Sequence, residues 1–178
     1  MTSKRDTYKP GAAAGAVIHR EGPKWTLVFT RELRHPPSKV WHALTDPAQL
    51  SQWAPFDSDR SLASPGPVKL STVGTPAAQV SDSVVKRAEA PRLLEYSWGG
   101  NDLRWELEAF DSGTRLTLWH NIDRRYIAWG AAGWHICFDV LDGLLAGDPI
   151  GRIVAGEAMK FEWQRLVTEY TSQLGIER

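Results

Sequence analysis

His120 is the residue of this sequence whose position best suits chemistry inside a folded domain. It ends a predicted strand on which Leu116, Leu118 and His120 share one face, so its side chain is expected to point inward. There it can hydrogen-bond a ligand carbonyl or hydroxyl, or act as an acid or base near neutral pH. The alternative is a structural histidine whose ring bonds a backbone carbonyl. We favour the structural role, because no second catalytic group lies at a recognisable spacing.

The other reactive or charged groups have simpler interpretations. His135 and Asp139 lie one helical turn apart and could supply half a metal site, but we expect them on the polar side of their helix, as a solvent-facing pair. Cys137 is the only cysteine, which excludes an internal disulfide and is typical of core filler rather than of a nucleophile. Asp123–Arg125 follow the last strand, where adjacent arginines are usually solvated, although they could meet an anionic ligand. We therefore assign no catalytic residue and no metal ligand.

Common enzyme signatures are absent from the sequence. It contains no Gly-x-Ser-x-Gly elbow, no Gly-x-x-x-x-Gly-Lys loop, no His-Glu-x-x-His and no Gly-x-Gly-x-x-Gly. This weighs against common hydrolase, nucleotide and zinc chemistry, and we predict no cofactor. Lysine plus arginine number 21 and balance 21 aspartate plus glutamate, without a dense basic run. Nucleic acid is therefore not an expected partner.

Length and composition favour one soluble domain. The 178 residues, 42% of them apolar, are enough to bury a sizeable core. No stretch approaches the roughly 18 apolar residues of a membrane span, so we predict none. A single cysteine fits a reducing compartment, and we predict a cytoplasmic location.

Hydrophobic periodicity predicts the elements that position these groups. Residues 25–33 alternate as a first strand, and two short helices follow, the second capped by Asp46. We expect Trp41 to pack under the sheet and Trp53 to lie near the mouth of a cavity. From about 57 to 122, turn signals divide short strands, which predicts an antiparallel meander with one apolar and one polar face.

Two helical patterns follow the meander and must cover its apolar face. The first runs from Ala128 to Ala146 with a broad apolar stripe, and the second passes through Met159 and stops before Gly175. Residues 1–22 are predicted to be a flexible leader. Trp119 is expected to face away from the helices, where another subunit or the leader could cover it.

The inward faces of strands and helices together predict an aromatic-walled pocket with His120 as its one strand-borne titratable group. Such an apolar pocket suits a small hydrophobic or aromatic molecule. The alternative is a filled core without a usable cavity. The predicted ligand-binding residues are Trp53, Tyr96, Trp98, Trp105, Leu107, Leu118, His120, Trp134, Phe138 and Leu141.

Several motifs together resemble a known superfamily. They are Arg31-Glu32 before a Pro-Pro helix start, Val40-Trp41, Ala43-Leu44-Thr45-Asp46-Pro47, Trp53 and, after the meander, Gly133-Trp134-His135. In this order and spacing they resemble the SRPBCC or START-like superfamily, and within it the activator of heat-shock protein 90 ATPase homologues. The resemblance implies an α+β helix-grip fold, in which a curved antiparallel sheet wraps a long C-terminal helix and leaves an apolar cavity. It implies a single START-like domain over residues 23–178.

Three functions remain open at this point, because fold alone does not decide function. The first is binding of a small hydrophobic molecule in the internal cavity. The second is a cavity enzyme of cyclase or hydrolase type that uses His120 with Asp123 or Tyr96. The third is a chaperone-interacting module, which the family name suggests. A homodimer that covers Trp119 is a further possibility for partners.

Overall fold

Nine strands and five α-helices lie in residues 3–74 and 79–176, the parts of the chain that the computed structural model describes. The strands are β1 (Ala16–Glu21), β2 (Lys24–Leu33), β3 (Phe56–Ser58), β4 (Gly66–Thr72), β5 (Gln79–Val85), β6 (Arg87–Glu89), β7 (Leu93–Trp98), β8 (Asn101–Phe110) and β9 (Gly113–Asn121). The α-helices are α1 (Lys4–Thr7), α2 (Pro37–Thr45), α3 (Pro47–Leu50), α4 (Ile127–Leu145) and α5 (Trp163–Leu174). A 3-10 segment, Arg124–Tyr126, leads into α4, and another, Ala155–Phe161, precedes α5.

The larger sheet has the strand order β1-β2-β9-β8-β7-β6, and β3-β4-β5 form a smaller sheet. Strands β6 to β9 follow one another as an antiparallel meander, as predicted. Strands β3 to β5 also pair antiparallel, but in the smaller sheet, so the meander predicted over about 57–122 is divided between two sheets. In this register Trp105 lies opposite Leu118, and both are buried, whereas the intervening Arg104 is exposed. The apolar face of the sheet packs on α4, which confirms the α+β helix-grip fold.

The two short helices α2 and α3 close one end of the core. Asp46 caps α3, because its carboxylate accepts a hydrogen bond from the Gln49 backbone nitrogen at 3.2 Å. Trp41 is buried, as expected. Trp53 does not lie at a cavity mouth: it is fully buried, and its indole nitrogen donates to the Ala43 carbonyl at 2.9 Å. This hydrogen bond ties the chain after α3 to α2.

The described part of the N-terminal segment is bound to the rest of the fold. Strand β1 pairs antiparallel with β2, Ala13 is buried, and Arg5 donates to the backbone carbonyls of residues 150–152. A paired strand and a multiply bonded guanidinium hold the described part of this segment against the fold. The division into a leader and one domain over 23–178 stays a prediction.

A network of polar side chains fixes this segment to α4. The Asp139 carboxylate accepts from the Tyr8 hydroxyl at 2.5 Å and from Arg31 Nη1 at 2.6 Å. One turn away, His135 is buried, and its Nδ1 lies 2.6 Å from the Tyr170 hydroxyl. The prediction of a solvent-facing pair is therefore wrong, because β2, α5 and the N-terminal segment cover this face of α4. Burial lowers the pKa of His135.

The connection between α4 and α5 departs from the predicted helical pattern. Met159 lies in the 3-10 segment, and Glu162 adopts a left-handed backbone with φ of 62° before α5 begins. A left-handed residue interrupts a right-handed helix, so the pattern divides there. Gly175 ends α5 with φ of 64°, as predicted.

The outer face of the larger sheet carries Trp119. Its indole nitrogen donates to the Glu106 carboxylate, and its ring meets His19 of β1 edge-on at 5.7 Å. The N-terminal segment therefore covers part of this indole. The sequence predicts that either this segment or another subunit covers it. A homodimer through this face stays a prediction.

None of the helices within residues 3–74 and 79–176 is long and apolar enough to cross a membrane. In the same ranges, histidine, cysteine, aspartate and glutamate side chains form no group of three or more that could hold a metal ion.

Replacing Asp139 with alanine is expected to lower the free energy of unfolding by about 2–3 kcal/mol, because Arg31 and Tyr8 lose their common partner. The loss stays below that of a fully buried pair, since the Arg31 and Asp139 side chains are 23% and 21% exposed. Urea unfolding measures it. The matched control is Asp142→Ala on the same helix, where the exposed carboxylate lies 3.5 Å from His35; we expect a change below about 0.5 kcal/mol. Equal losses in both variants would contradict the role of the network.

Candidate functional site

A cleft lies where the end of the larger sheet meets α4 and the α4–α5 connection. Its volume is about 470 Å³. Its described lining residues include no aspartate, glutamate, lysine or arginine. They are Pro55, Trp98, His120, Ile122, Trp129, Gly130, Gly133, Trp134, Cys137, Ile153, Val154, Ala155, Gly156, Ala158, Met159 and Trp163. The cleft is therefore an apolar, strongly aromatic space with one imidazole at its wall.

Four indole rings form much of this wall. Trp98 and Trp134 meet at a centroid distance of 6.1 Å and an interplanar angle of 74°, and Trp98 Nε1 donates to Thr72 Oγ1 at 2.9 Å. Trp129 and Trp163 meet at 6.0 Å, and Trp129 is 41% exposed. Two indoles are thus held in place by hydrogen bonds or burial, while the other two border the rim.

Glycines provide the room for this cleft. A Cβ atom at Gly133 would have no heavy atom within 4 Å, whereas one at Gly130 would lie 3.2 Å from Ile122 Cδ1. Gly74, with φ of 87°, approaches the α4–α5 connection so closely that a Cβ there would lie 2.7 Å from the Ala155 Cβ. The chain just after β4 therefore packs closely against the α4–α5 connection, and α4 leaves space beside Gly133.

The hydrogen bond between His120 and Trp134 defines the state of the imidazole. Trp134 Nε1 lies 3.0 Å from His120 Nδ1, and an indole nitrogen is always the donor. His120 Nδ1 is therefore the acceptor. Burial lowers the pKa of His120 to about 4, because the imidazolium would lose its hydration. The neutral ring carries its proton on Nε2, which is buried and has no hydrogen-bond partner among the described residues.

Cys137 also borders the cleft. It is almost fully buried, and burial raises the pKa of its thiol to about 12. The thiolate is the nucleophilic form of cysteine, so Cys137 stays protonated and unreactive near neutral pH. Its chemistry here is that of a small apolar side chain.

The structure brings only part of the predicted site together. Trp98, His120 and Trp134 line the cleft. The remaining predicted residues do not line it and lie in the core; they are Trp53, Tyr96, Trp105, Leu107, Leu118, Phe138 and Leu141. The Trp105 ring meets Trp53 at 6.0 Å and Trp134 at 5.5 Å, both nearly at right angles. Such edge-to-face packing fills the middle of the predicted pocket, so the open space lies at one end of the fold.

Sequence reasoning missed the wall that the α4–α5 connection contributes. The sequence predicts a helical pattern through Met159, and this pattern does not indicate that Ile153 or Met159 would face the end of the sheet. One usable signal was present. Gly130 and Gly133 lie three residues apart on one face of α4, and small residues at that spacing indicate a close approach or a gap.

The described contacts of Tyr96 and Asp123 involve residues other than His120. The Tyr96 hydroxyl accepts a hydrogen bond from Trp105 Nε1 at 3.1 Å and is buried. Asp123 is exposed, and its carboxylate pairs with Arg125 at 3.1 Å. Neither side chain therefore orients or activates the imidazole in this structure.

Comparison with known protein families identifies a match for this chain. Residues 34–146 match the family described as Activator of Hsp90 ATPase homolog 1-like protein. This range ends after α4, so the α4–α5 connection lies beyond it. No curated protein sequence matches the chain.

Several solved structures share this fold. A conserved protein of unknown function from Enterococcus faecalis matches with a TM-score of 0.69 at 16% identity, covering 92% of each chain. CalU16 from Micromonospora echinospora matches with 0.63 at 19% identity, over 88% of this chain and 94% of that chain. An AHSA1-like protein from Aeromonas hydrophila matches with 0.56 at 18% identity, over 68% and 94%. At these identities the likeness shows a shared fold.

The free energy of unfolding is expected to fall, relative to a His120→Asn variant, as the pH drops from about 6.5 toward 4. The pKa of His120 is lowered from 6.5 to about 4, so within this window the unfolded chain binds a proton that the folded chain does not. At about 1.4 kcal/mol for each pKa unit, the full difference is about 3 kcal/mol. Asparagine does not titrate and keeps an acceptor near the position of Nδ1. Urea unfolding of both proteins measures the difference, and parallel pH profiles would contradict a buried neutral imidazole.

Proposed function

We propose, since this chain belongs to the Activator of Hsp90 ATPase homolog 1-like family, that its cleft binds a small hydrophobic or aromatic molecule. The family fold supplies the frame, and the site must supply the function. One observation carries the proposal: the cleft of about 470 Å³ is lined by four tryptophans and by no charged side chain among the described residues. Concave, mostly apolar sites with few polar groups are typical of small-molecule binding.

The rim of the cleft supports entry of such a molecule. Trp129 and Met159 both line the cleft and are 41% and 58% exposed. Large apolar side chains left in water beside an apolar space mark a contact surface, and methionine adapts easily to different shapes. A hydrophobic molecule could therefore meet apolar surface before it reaches the buried indoles.

The two alternative functions have less support. A cavity enzyme would need a second group acting with His120, and Tyr96 and Asp123 form their described contacts elsewhere. A chaperone-interacting module is suggested by the family description alone, and a pulldown with the chaperone ATPase would test it. A homodimer and a cytoplasmic location likewise stay predictions.

Filling the cleft from α4 is expected to block binding without harming the fold. Gly133 lines the cleft, and a Cβ there meets no heavy atom within 4 Å, so the side chain of Gly133→Leu would occupy ligand space. N-phenylnaphthylamine, an uncharged fluorescent aromatic compound, serves as the probe. We expect its dissociation constant to rise at least about tenfold in Gly133→Leu, which is a loss of about 1.4 kcal/mol.

Gly133→Ala is the matched control. It adds one methyl group and raises helix propensity by up to about 1 kcal/mol, as the leucine variant also does, so both variants should unfold at or above the temperature of the parent protein. Probe affinity in Gly133→Ala should stay within about threefold. If the parent protein fails to bind the probe, or if folded Gly133→Leu binds it as tightly as the parent protein, the cleft is not the binding site.

Native mass spectrometry of the protein purified from its expression host gives an independent measurement. A bound hydrophobic molecule is expected to add mass to the folded protein, to disappear on denaturation and to be recovered by organic extraction. The same molecule should be reduced or missing in Gly133→Leu prepared in parallel. Equal retention by both proteins would place the molecule elsewhere.

A further inference from the structure

We propose that the molecule held in the cleft is uncharged and carries a hydrogen-bond-accepting oxygen, as in an aromatic ketone or ether, and that the Nε2–H group of His120 donates to this oxygen. The inference rests on the proposed function of the cleft and names the class of ligand. It is carried by the geometry around His120 and by the chemistry of the lining residues.

The hydrogen bond at His120 Nδ1 has only one possible direction. Trp134 Nε1 can only donate, so the 3.0 Å contact places a lone pair on His120 Nδ1. The proton of the neutral ring is then on Nε2. His120 therefore offers a donor, and no acceptor, on the side of the ring that Trp134 does not use.

The Nε2–H donor of His120 has no hydrogen-bond partner among the described residues. Three buried side-chain nitrogen or oxygen atoms lack a hydrogen-bond partner in the described residues: Ser58 Oγ, His120 Nε2 and Arg152 Nε. Of these residues, only His120 lines the cleft. The residue is only 3% exposed. A buried N–H group without an acceptor is destabilising. Nε2 itself is shielded from solvent in this structure, so a ligand oxygen would reach it by displacing neighbouring side chains of the cleft wall, and the hydrogen bond would then remove that penalty.

The other polar side chains of the inner wall are already hydrogen-bonded or are weak donors. The Trp98 indole nitrogen already donates to Thr72, and the Trp134 nitrogen donates to His120. Cys137 is a protonated thiol, which is a weak donor. Among these inner side chains, His120 Nε2 is thus the strong donor that remains for a ligand.

The lining of the cleft disfavours a charged ligand group. None of its described lining side chains carries a formal charge, so a carboxylate or an ammonium group would lose its hydration without gaining a counter-ion. Arg124 and Arg125 line a neighbouring groove that shares Trp129 and Trp163 with the cleft. A ligand carboxylate could pair with these arginines only in that groove, which lies outside the space beside His120.

The test compares ligands that differ in one group. Acetylnaphthalene carries a ketone oxygen, ethylnaphthalene has nearly the same shape without an acceptor, and naphthoate carries a carboxylate. Dissociation constants are measured by calorimetry or by tryptophan fluorescence for the parent protein and for His120→Asn, which keeps an acceptor for Trp134 and lacks the Nε2–H donor. His42→Asn, at an exposed position of α2, is the matched control.

The expected result is a coupling between the ketone and the imidazole. The preference for acetylnaphthalene over ethylnaphthalene should fall about tenfold in His120→Asn, equivalent to about 1.4 kcal/mol, and should be unchanged in His42→Asn. Naphthoate should bind the parent protein more weakly than either neutral compound. An unchanged ketone preference in His120→Asn, or tightest binding of naphthoate, would overturn the inference while leaving hydrophobic binding intact.

Failure of the proposed function gives a different pattern, in which none of the three compounds binds the parent protein. Nitrogen NMR of the histidine rings provides a second readout. The His120 ring should show the tautomer with a protonated Nε2, and the Nε2–H resonance should shift with acetylnaphthalene but not with ethylnaphthalene. A protonated Nδ1 in the free protein would also overturn the inference.

Discussion

Trp105 contacts three aromatic rings at the centre of the fold, with centroid distances of 6.0 Å to Trp53, 5.5 Å to Trp134 and 6.0 Å to Phe138. These rings meet at steep angles, an arrangement that contributes about 0.5–1.5 kcal/mol for each pair beyond the burial of area. They occupy the middle of the space between the sheet and α4. The cleft lies at the end of the larger sheet, beside Gly133.

The same packing determines the chemistry at the cleft wall. Trp134 belongs to the aromatic core, so its indole N–H is buried and needs an acceptor. His120 Nδ1 supplies it, which leaves the imidazole neutral with its proton on the other nitrogen. One hydrogen bond thus connects the interior packing to the donor that the cleft contains. Near neutral pH the imidazole is therefore uncharged, with its hydrogen-bond donor at Nε2.

The opposite side of α4 explains why this helix is buried almost all round. There the Asp139 carboxylate joins Arg31 and Tyr8, while His135 meets Tyr170. Charged and polar groups are tolerated in such a place when they are paired. The helix is therefore held on one side by aromatic packing and on the other by a polar network, and the cleft occupies the end where neither covers it.

Local patterns in the sequence determined the helices and strands, because the interactions that define these elements involve residues close together in the sequence. The alternation on β8, the Asp46 cap and the Gly175 stop are of this kind, and all three were predictable. Tertiary structure alone decided where the space lies. Alternation shows that Trp105 faces inward, but whether facing rings interlock or leave a gap depends on chain segments far apart in sequence. The approach of Gly74 to the α4–α5 connection, which helps to enclose the cleft, is such a contact, and no local pattern encodes it.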